Sequence, residues 1–240
     1  MKITYLGTGT YGADDRALTS FLVNDELLLD VGSGTIRQLQ MLGKDLAKIN
    51  TIIITHYHPD HFSDVLSFLV RRKVNKITSQ LTIVGPKNIR SMTVQMIKNY
   101  GSDIFTTADE IEEIGIDFVE LVDSEKEVNG YKIISRTAKH GECRPASCYQ
   151  INQVSFSGDS TRCVGLDEII RSSSQAFLDS TKNLPSDDTH LNIGGVLEYA
   201  EQYPNKKFYL IHRGDYDLPD LPSNAFAPDD GDEIKIEEAK

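Results

Sequence analysis

The sequence predicts a mixed α/β fold, and three observations carry that prediction. Short apolar runs alternate with longer stretches whose apolar residues recur at helical spacing. One run, Ile52-Ile53-Ile54, is β-branched throughout and ends in a polar turn, as a buried strand does. Polar residues able to bind metal stand just past the ends of several such runs, where α/β folds collect their sites. The 240 residues suit one large domain, residues 1–240, and leave no room for two ordinary domains and a linker. Hydrophobic residues make up 39% of the chain, enough for a core.

The elements follow in order. Residues 2–6 read as a first strand, and Gly7-Thr8-Gly9-Thr10-Tyr11-Gly12 as a turn. No Lys-Ser/Thr pair and no helix pattern follow that turn, so it is not a P-loop. Residues 21–23 and 27–30 read as strands joined at Asn24-Asp25. Gly32-Ser33-Gly34 leads to a helix carrying Ile36, Leu39 and Leu42, with Gly43 as its C-cap. Residues 81–84 form a strand, and Gly85-Pro86 opens a helix carrying Ile89, Met92, Met96 and Tyr100. Residues 102–115 are acidic and carry no clear pattern. Residues 118–122 and 131–138 alternate like strands. Residues 147–151 and 154–157 resemble a hairpin around Asn152-Gln153. Residues 166–171 read as a short helix and 176–179 as a strand. Thr189 is placed to cap a helix carrying Ile193, Val196, Leu197, Ala200 and Tyr203. Residues 208–211 form a strand, and Ile234-Lys235-Ile236 a last one after the Asp230-Gly231 turn.

The chemistry concentrates in residues 51–64. Three of the six histidines lie there: His56, His58 and His61. His56 and His58 are two apart in extended chain, so their rings leave on one side. Pro59 disfavours a helical His58 and suits a first helical position. Asp60 and His61 then fall on the strand-to-helix corner, and Phe62, Val65, Leu66 and Leu69 continue at helical spacing. Imidazoles and carboxylates in this arrangement bind zinc and similar divalent ions. His140, Asp159 and His212 each follow a strand, and together with the cluster they supply what a two-metal site needs.

These residues resemble the metallo-β-lactamase superfamily. Its His-x-His-x-Asp-His signature stands here as His56-Tyr57-His58-Pro59-Asp60-His61. The resemblance extends over nearly the whole chain, including Leu29-Asp30-Val31-Gly32 and residues 227–236. It implies a four-layer αββα sandwich with the metals at one edge of the sheets. It also implies that His56, His58 and His140 hold one ion, and that Asp60, His61 and His212 hold a second. Asp159 would bridge them, and Asp30 would orient a ligand histidine. Zinc is the default ion, and manganese or iron suits the same ligands less well. Within the superfamily the chain is most similar to the ribonuclease Z-like phosphodiesterases. Leu6-Gly7-Thr8-Gly9 with Arg16, Ser157-Gly158-Asp159-Ser160 and Thr189-His190-Leu191 carry that likeness. The branch's His-Glu-Ala-Thr segment is Leu178-Asp179-Ser180-Thr181 here, and residues 117–139 leave room for two strands but not for the arm that grips tRNA.

The expected activity is therefore hydrolysis of a small or cyclic phosphodiester by hydroxide on two metals, with Asp60 orienting the water. His190 is expected to contact substrate, with Asp179 the carboxylate near enough to orient it; its bland alternative is an exposed residue capping the next helix. Competing readings are an endonuclease for RNA 3′ ends, a thioester or lactone hydrolase, and a metal-binding sensor without catalysis. The net charge of −11 opposes broad affinity for nucleic acid. Arg71, Arg72, Lys73 and Lys76 read as a solvated helix end. Three cysteines, an odd number, argue for reduced thiols. No run is long and apolar enough for a membrane span, and no leader-like segment opens the chain, so a cytoplasmic location is expected. A homodimer is left open.

Overall fold

Strand formation follows the apolar alternation closely. In β1 (Lys2–Gly7), Ile3 and Tyr5 face one way and Leu6 the other, and all three are fully buried. Burial on both faces recurs in β2 (Ser20–Val23), β3 (Leu27–Leu29), β4 (Thr51–Ile53) and β5 (Leu81–Gly85). Such strands need cover on both sides, which dictates layers. The computed structural model describes residues 1–100 and 115–237. The unplaced stretch 102–115 thus falls outside the described residues but for Gly115.

Two seven-stranded sheets result. The first runs β14-β1-β2-β3-β4-β5-β6, with β6 at Ile116–Glu120 and β14 at Glu233–Lys235. The second runs β13-β12-β11-β10-β9-β8-β7. Its strands are β7 (Glu125–Val128), β8 (Tyr131–Thr137), β9 (Ser147–Ile151), β10 (Val154–Phe156), β11 (Gln175–Asp179), β12 (Lys207–Ile211) and β13 (Ala225–Phe226). An aromatic and β-branched layer fills the space between the sheets, with Tyr5, Phe21, Phe156, Phe177 and Tyr209 in ring contact. Helices α1 (Thr35–Met41), α3 (Val65–Val74) and α4 (Ile89–Tyr100) cover the outer face of the first sheet. Helices α5 (Val164–Ser172) and α6 (Asn192–Gln202) cover that of the second. The order of layers is αββα.

Strands β3 to β6 are parallel to one another, as are β10 to β13. Their carboxyl ends gather at one edge of the sandwich, and the polar residues beyond β3, β4, β10, β11 and β12 meet there.

Several expectations change. Residues 117–139 hold a third strand, β7, whose Glu-Lys-Glu-Val sequence is too charged to read as one; it is an edge strand, where charge is tolerated. The two-residue β13 is too short to leave a pattern. Asp60 and His61 lie on a separate one-turn helix, α2 (Pro59–Phe62), before α3 begins. Thr189 does not cap α6: its hydroxyl bonds Asp187 at 2.7 Å, and Leu191 holds the N-cap position. Arg72 is not solvated. It is 1% exposed, and its guanidinium donates to the carbonyls of Ser79 and Ile49. No helix among the described residues is long and apolar enough to cross a membrane.

Candidate metal centre

The site begins where β4 runs out. Ile54 donates its amide to Val84, and the next residues leave the sheet with His56 fully buried. His58 is extended, Pro59 starts α2, and that single turn swings Asp60 and His61 back toward His56. The turn is fastened from behind: the Val31 amide donates to the His61 carbonyl at 2.7 Å, and the Asp64 amide to Val31 at 2.9 Å. Gly32 permits this approach, since a Cβ there would stand 1.7 Å from the Asp60 carbonyl oxygen. Asp30 and His212 both adopt positive φ, 55° each, a conformation that non-glycine residues rarely hold and that here turns each strand end inward.

Asp159 lies between two histidine groups. Its Oδ2 is 3.9 Å from His56 Nε2 and 3.7 Å from His140 Nε2. Its Oδ1 is 3.2 Å from His61 Nε2 and 3.4 Å from His212 Nε2. His58 Nδ1 adjoins His140 Nε2 at 3.2 Å, and Asp60 Oδ2 adjoins His212 Nε2 at 3.4 Å. Candidate ligand atoms of His56, His58, His140 and Asp159 all lie within 4.8 Å of one another, as do those of Asp60, His61, Asp159 and His212.

The outward ring nitrogens of His56, His61, His140 and His212 are engaged, while His58 is exposed. His140 Nδ1 meets the Thr189 carbonyl at 2.8 Å, so it must donate, which leaves Nε2 with a lone pair. His61 Nδ1 meets Asp30 Oδ2 at 2.8 Å with the same consequence. Asp30 in turn accepts the Thr55 amide at 2.8 Å and its hydroxyl at 2.9 Å, and that hydroxyl touches His56 Nδ1 at 3.0 Å. Thr181 Oγ1 stands 2.8 Å from His212 Nδ1.

The inward atoms fit a cation. His56 Nε2, His61 Nε2 and Asp159 Oδ1 are buried without a hydrogen-bond partner, which is costly unless something else satisfies them. Tetrahedral coordination with metal–ligand distances of ~2.0–2.1 Å separates ligands by about 3.3 Å, near the spacings seen. Burial, aided by the charge on His61, pushes His56 well below its ordinary value and favours the neutral ring a metal needs. Burial also opposes charge on His61 and His212, but Asp159 and the other carboxylates override it and raise both, His212 to about 10. Asp159 is held well below the carboxylate range: burial acts against its charge, and His212, His61 and His56 prevail. His/Asp side chains are thus positioned to bind metal ions.

A further group adjoins the centre. His190 Nδ1 is 2.7 Å from Asp179 Oδ2, and Asp179, fully buried, also accepts the Ser160 amide and the amide and hydroxyl of Thr181. Burial disfavours charge on both, yet their contact holds Asp179 below and His190 above the ordinary range. His190 is not on α6; it precedes the helix, and its side chain turns toward the sheet edge. Arg16 joins Thr8 Oγ1 to Asp229 and so fastens the glycine-rich turn to the last segment. Thr55, Thr181 and the Thr189 carbonyl were not foreseen. Position gave the one available hint, since Thr55 abuts His56 and Thr181 ends the Leu-Asp-Ser-Thr run.

Known proteins resemble this chain over part or all of its length. Ribonuclease Z of Pyrococcus abyssi is 33% identical over 103 residues, 41% of this chain and 32% of its own length. Ribonuclease Z of Mycobacterium avium is 28% identical over 185 residues, 70% of this chain and 66% of its own. The chain thus spans between about a third and two thirds of these relatives. A crystal structure described as a new diphosphatase from the PhnP family superposes with TM-score 0.77 at 21% identity, over 98% of both chains. Residues 14–191, which include every candidate ligand but His212, match the model of the metallo-beta-lactamase superfamily. The chain belongs to the metallo-β-lactamase superfamily.

Proposed function

We propose that residues 1–240 form one hydrolase domain with a dinuclear zinc site, acting as a phosphodiesterase on a small or cyclic phosphodiester. The observation that carries this is Asp159, whose two oxygens face separate histidine groups, as a bridging carboxylate must. In this reading His56, His58 and His140 hold one ion, Asp60, His61 and His212 the other, and Asp30 fixes His61. A bound pair of ions would supply Lewis acidity toward a phosphoryl oxygen and a water acidic near pH 7. Asp60 would orient that water. His190 would donate a proton or a hydrogen bond to the leaving oxygen, held in place by Asp179. Relatives named ribonuclease and a neighbour named diphosphatase support phosphorus–oxygen hydrolysis over thioester or lactone chemistry.

An RNA 3′-end endonuclease is the second reading, favoured by the names of the relatives. The −11 charge favours a small substrate over tRNA. The test is turnover of phosphodiester, cyclic nucleotide, RNA, thioester and lactone substrates by protein of measured metal content. Hydrolysis of small phosphodiesters that chelation removes and zinc restores supports the reading. Turnover confined to thioesters or lactones contradicts it.

A further inference from the structure

We infer that the substrate carries an anionic group besides the reacting phosphate and that Arg144 selects for it, an inference that rests on the phosphodiesterase reading. A groove of about 760 Å³ opens beside the centre and shares His140 with it. One wall is the loop between β8 and β9. That loop is closed at its base by the Ala138 amide on the Ala146 carbonyl at 3.0 Å. It is folded within by the Cys143 amide on the His140 carbonyl at 2.9 Å. His140 and Arg144 are therefore held on one tight loop, facing one groove.

The other charges of the groove are engaged. Arg136 is paired with Glu168 at 2.7 Å and Lys139 with Asp188 at 3.0 Å. Asp123 accepts the amide and hydroxyl of Thr137. Arg144 alone among these cations has no hydrogen bond or ion pair among the described residues, and it is exposed. An unpaired guanidinium presents a rigid fork of donors suited to a carboxylate or a phosphate. It has no structural duty, and it stands on an acidic chain whose overall charge would repel such a ligand. Val122 and Val164, 47% and 75% exposed, line the same groove and offer an apolar body a wall. The chemistry selected is thus a ring or chain held against the valines, ending in an acid that reaches Arg144, with the reacting phosphate at the metals.

Calorimetry on the metal-loaded full chain tests this with phenyl phosphate, 4-carboxyphenyl phosphate and 1,4-phenylene bisphosphate. The wild type is expected to bind at least one doubly acidic probe about tenfold more tightly than phenyl phosphate, the scale of one charge-assisted contact. The carboxylate and bisphosphate arms tell which acid is preferred. Arg144→Ala should remove the gap, and Arg144→Lys should keep part of it. Equal binding of all probes by the wild type, or a gap that survives in Arg144→Ala, overturns the inference. Failure of the wild type to cleave any phosphodiester overturns the phosphodiesterase reading instead, because the ranking of affinities needs no turnover.

Discussion

Individual side chains at the sheet edge have separable duties. His190 Nδ1 bonds Asp179 Oδ2 at 2.7 Å, and ligand atoms of these two residues lie within 4.8 Å of those of Asp159 and His212. His190→Ala is expected to lower kcat on a phosphodiester by ~10²–10⁴-fold, the range for a general acid, while metal content stays at the wild-type value. Unchanged kinetics would leave His190 without a role in turnover, and lost metal would make it a ligand. Asp60 is buried at the sheet edge, on the one-turn helix α2 and outside the apolar layer between the sheets. Asp60→Ala should abolish hydrolysis and leave the melting transition in place; retention of most of the activity would remove it from the site. The histidines and aspartates were legible in sequence because their residue types are few and their spacing behind Ile52-Ile53-Ile54 is unusual. Thr55 and Thr181 were not, because a threonine hydroxyl acquires meaning only from what the fold sets beside it.

Between residues and molecule, the turns that back the site decide its geometry. The Asp30-Val31-Gly32 turn carries the Asp30 carboxylate to His61 and lets the α2 backbone rest on Gly32. Gly32→Ala cannot be absorbed by a side-chain rotation, since the obstacle is the Asp60 carbonyl. The variant is expected to lose about 10–100-fold in metal affinity, the cost of disturbing groups that hold ligands. Its helices and sheets should persist. Competitive chelator titration beside circular dichroism checks this, and wild-type affinity would show that α2 moves freely. Strands buried on both faces were easy to read from their apolar runs. Edge strands β7 and β13 were not, because they are charged or very short and owe their conformation to neighbours. The start of α6 was misread because Thr189 has the chemistry of a cap but bonds within its own turn.

At the scale of the molecule, two sheets pressed over an aromatic layer bring the ends of β3, β4, β10, β11 and β12 together from residues as distant as Asp30 and His212. No local pattern encodes that meeting. Its layered form became legible through the resemblance of the His-x-His-x-Asp-His segment, whereas mixed α/β character was readable from periodicity. The net charge of −11 sets an expectation for partners. Binding to tRNA should be weak and should fall steeply with salt. A tight complex at physiological salt in a gel-shift titration would promote the endonuclease reading.

Metal stoichiometry tests the central claim most directly. The two oxygens of Asp159 face two groups of candidate ligands, so under the proposed reading each group should hold its own ion. Elemental analysis of protein purified with excess zinc and then desalted should give two ions per chain for the wild type. Asp159→Ala should bind fewer and lose hydrolysis while remaining folded. One ion or fewer in the wild type, or two in a fully active Asp159→Ala, would contradict the bridged site.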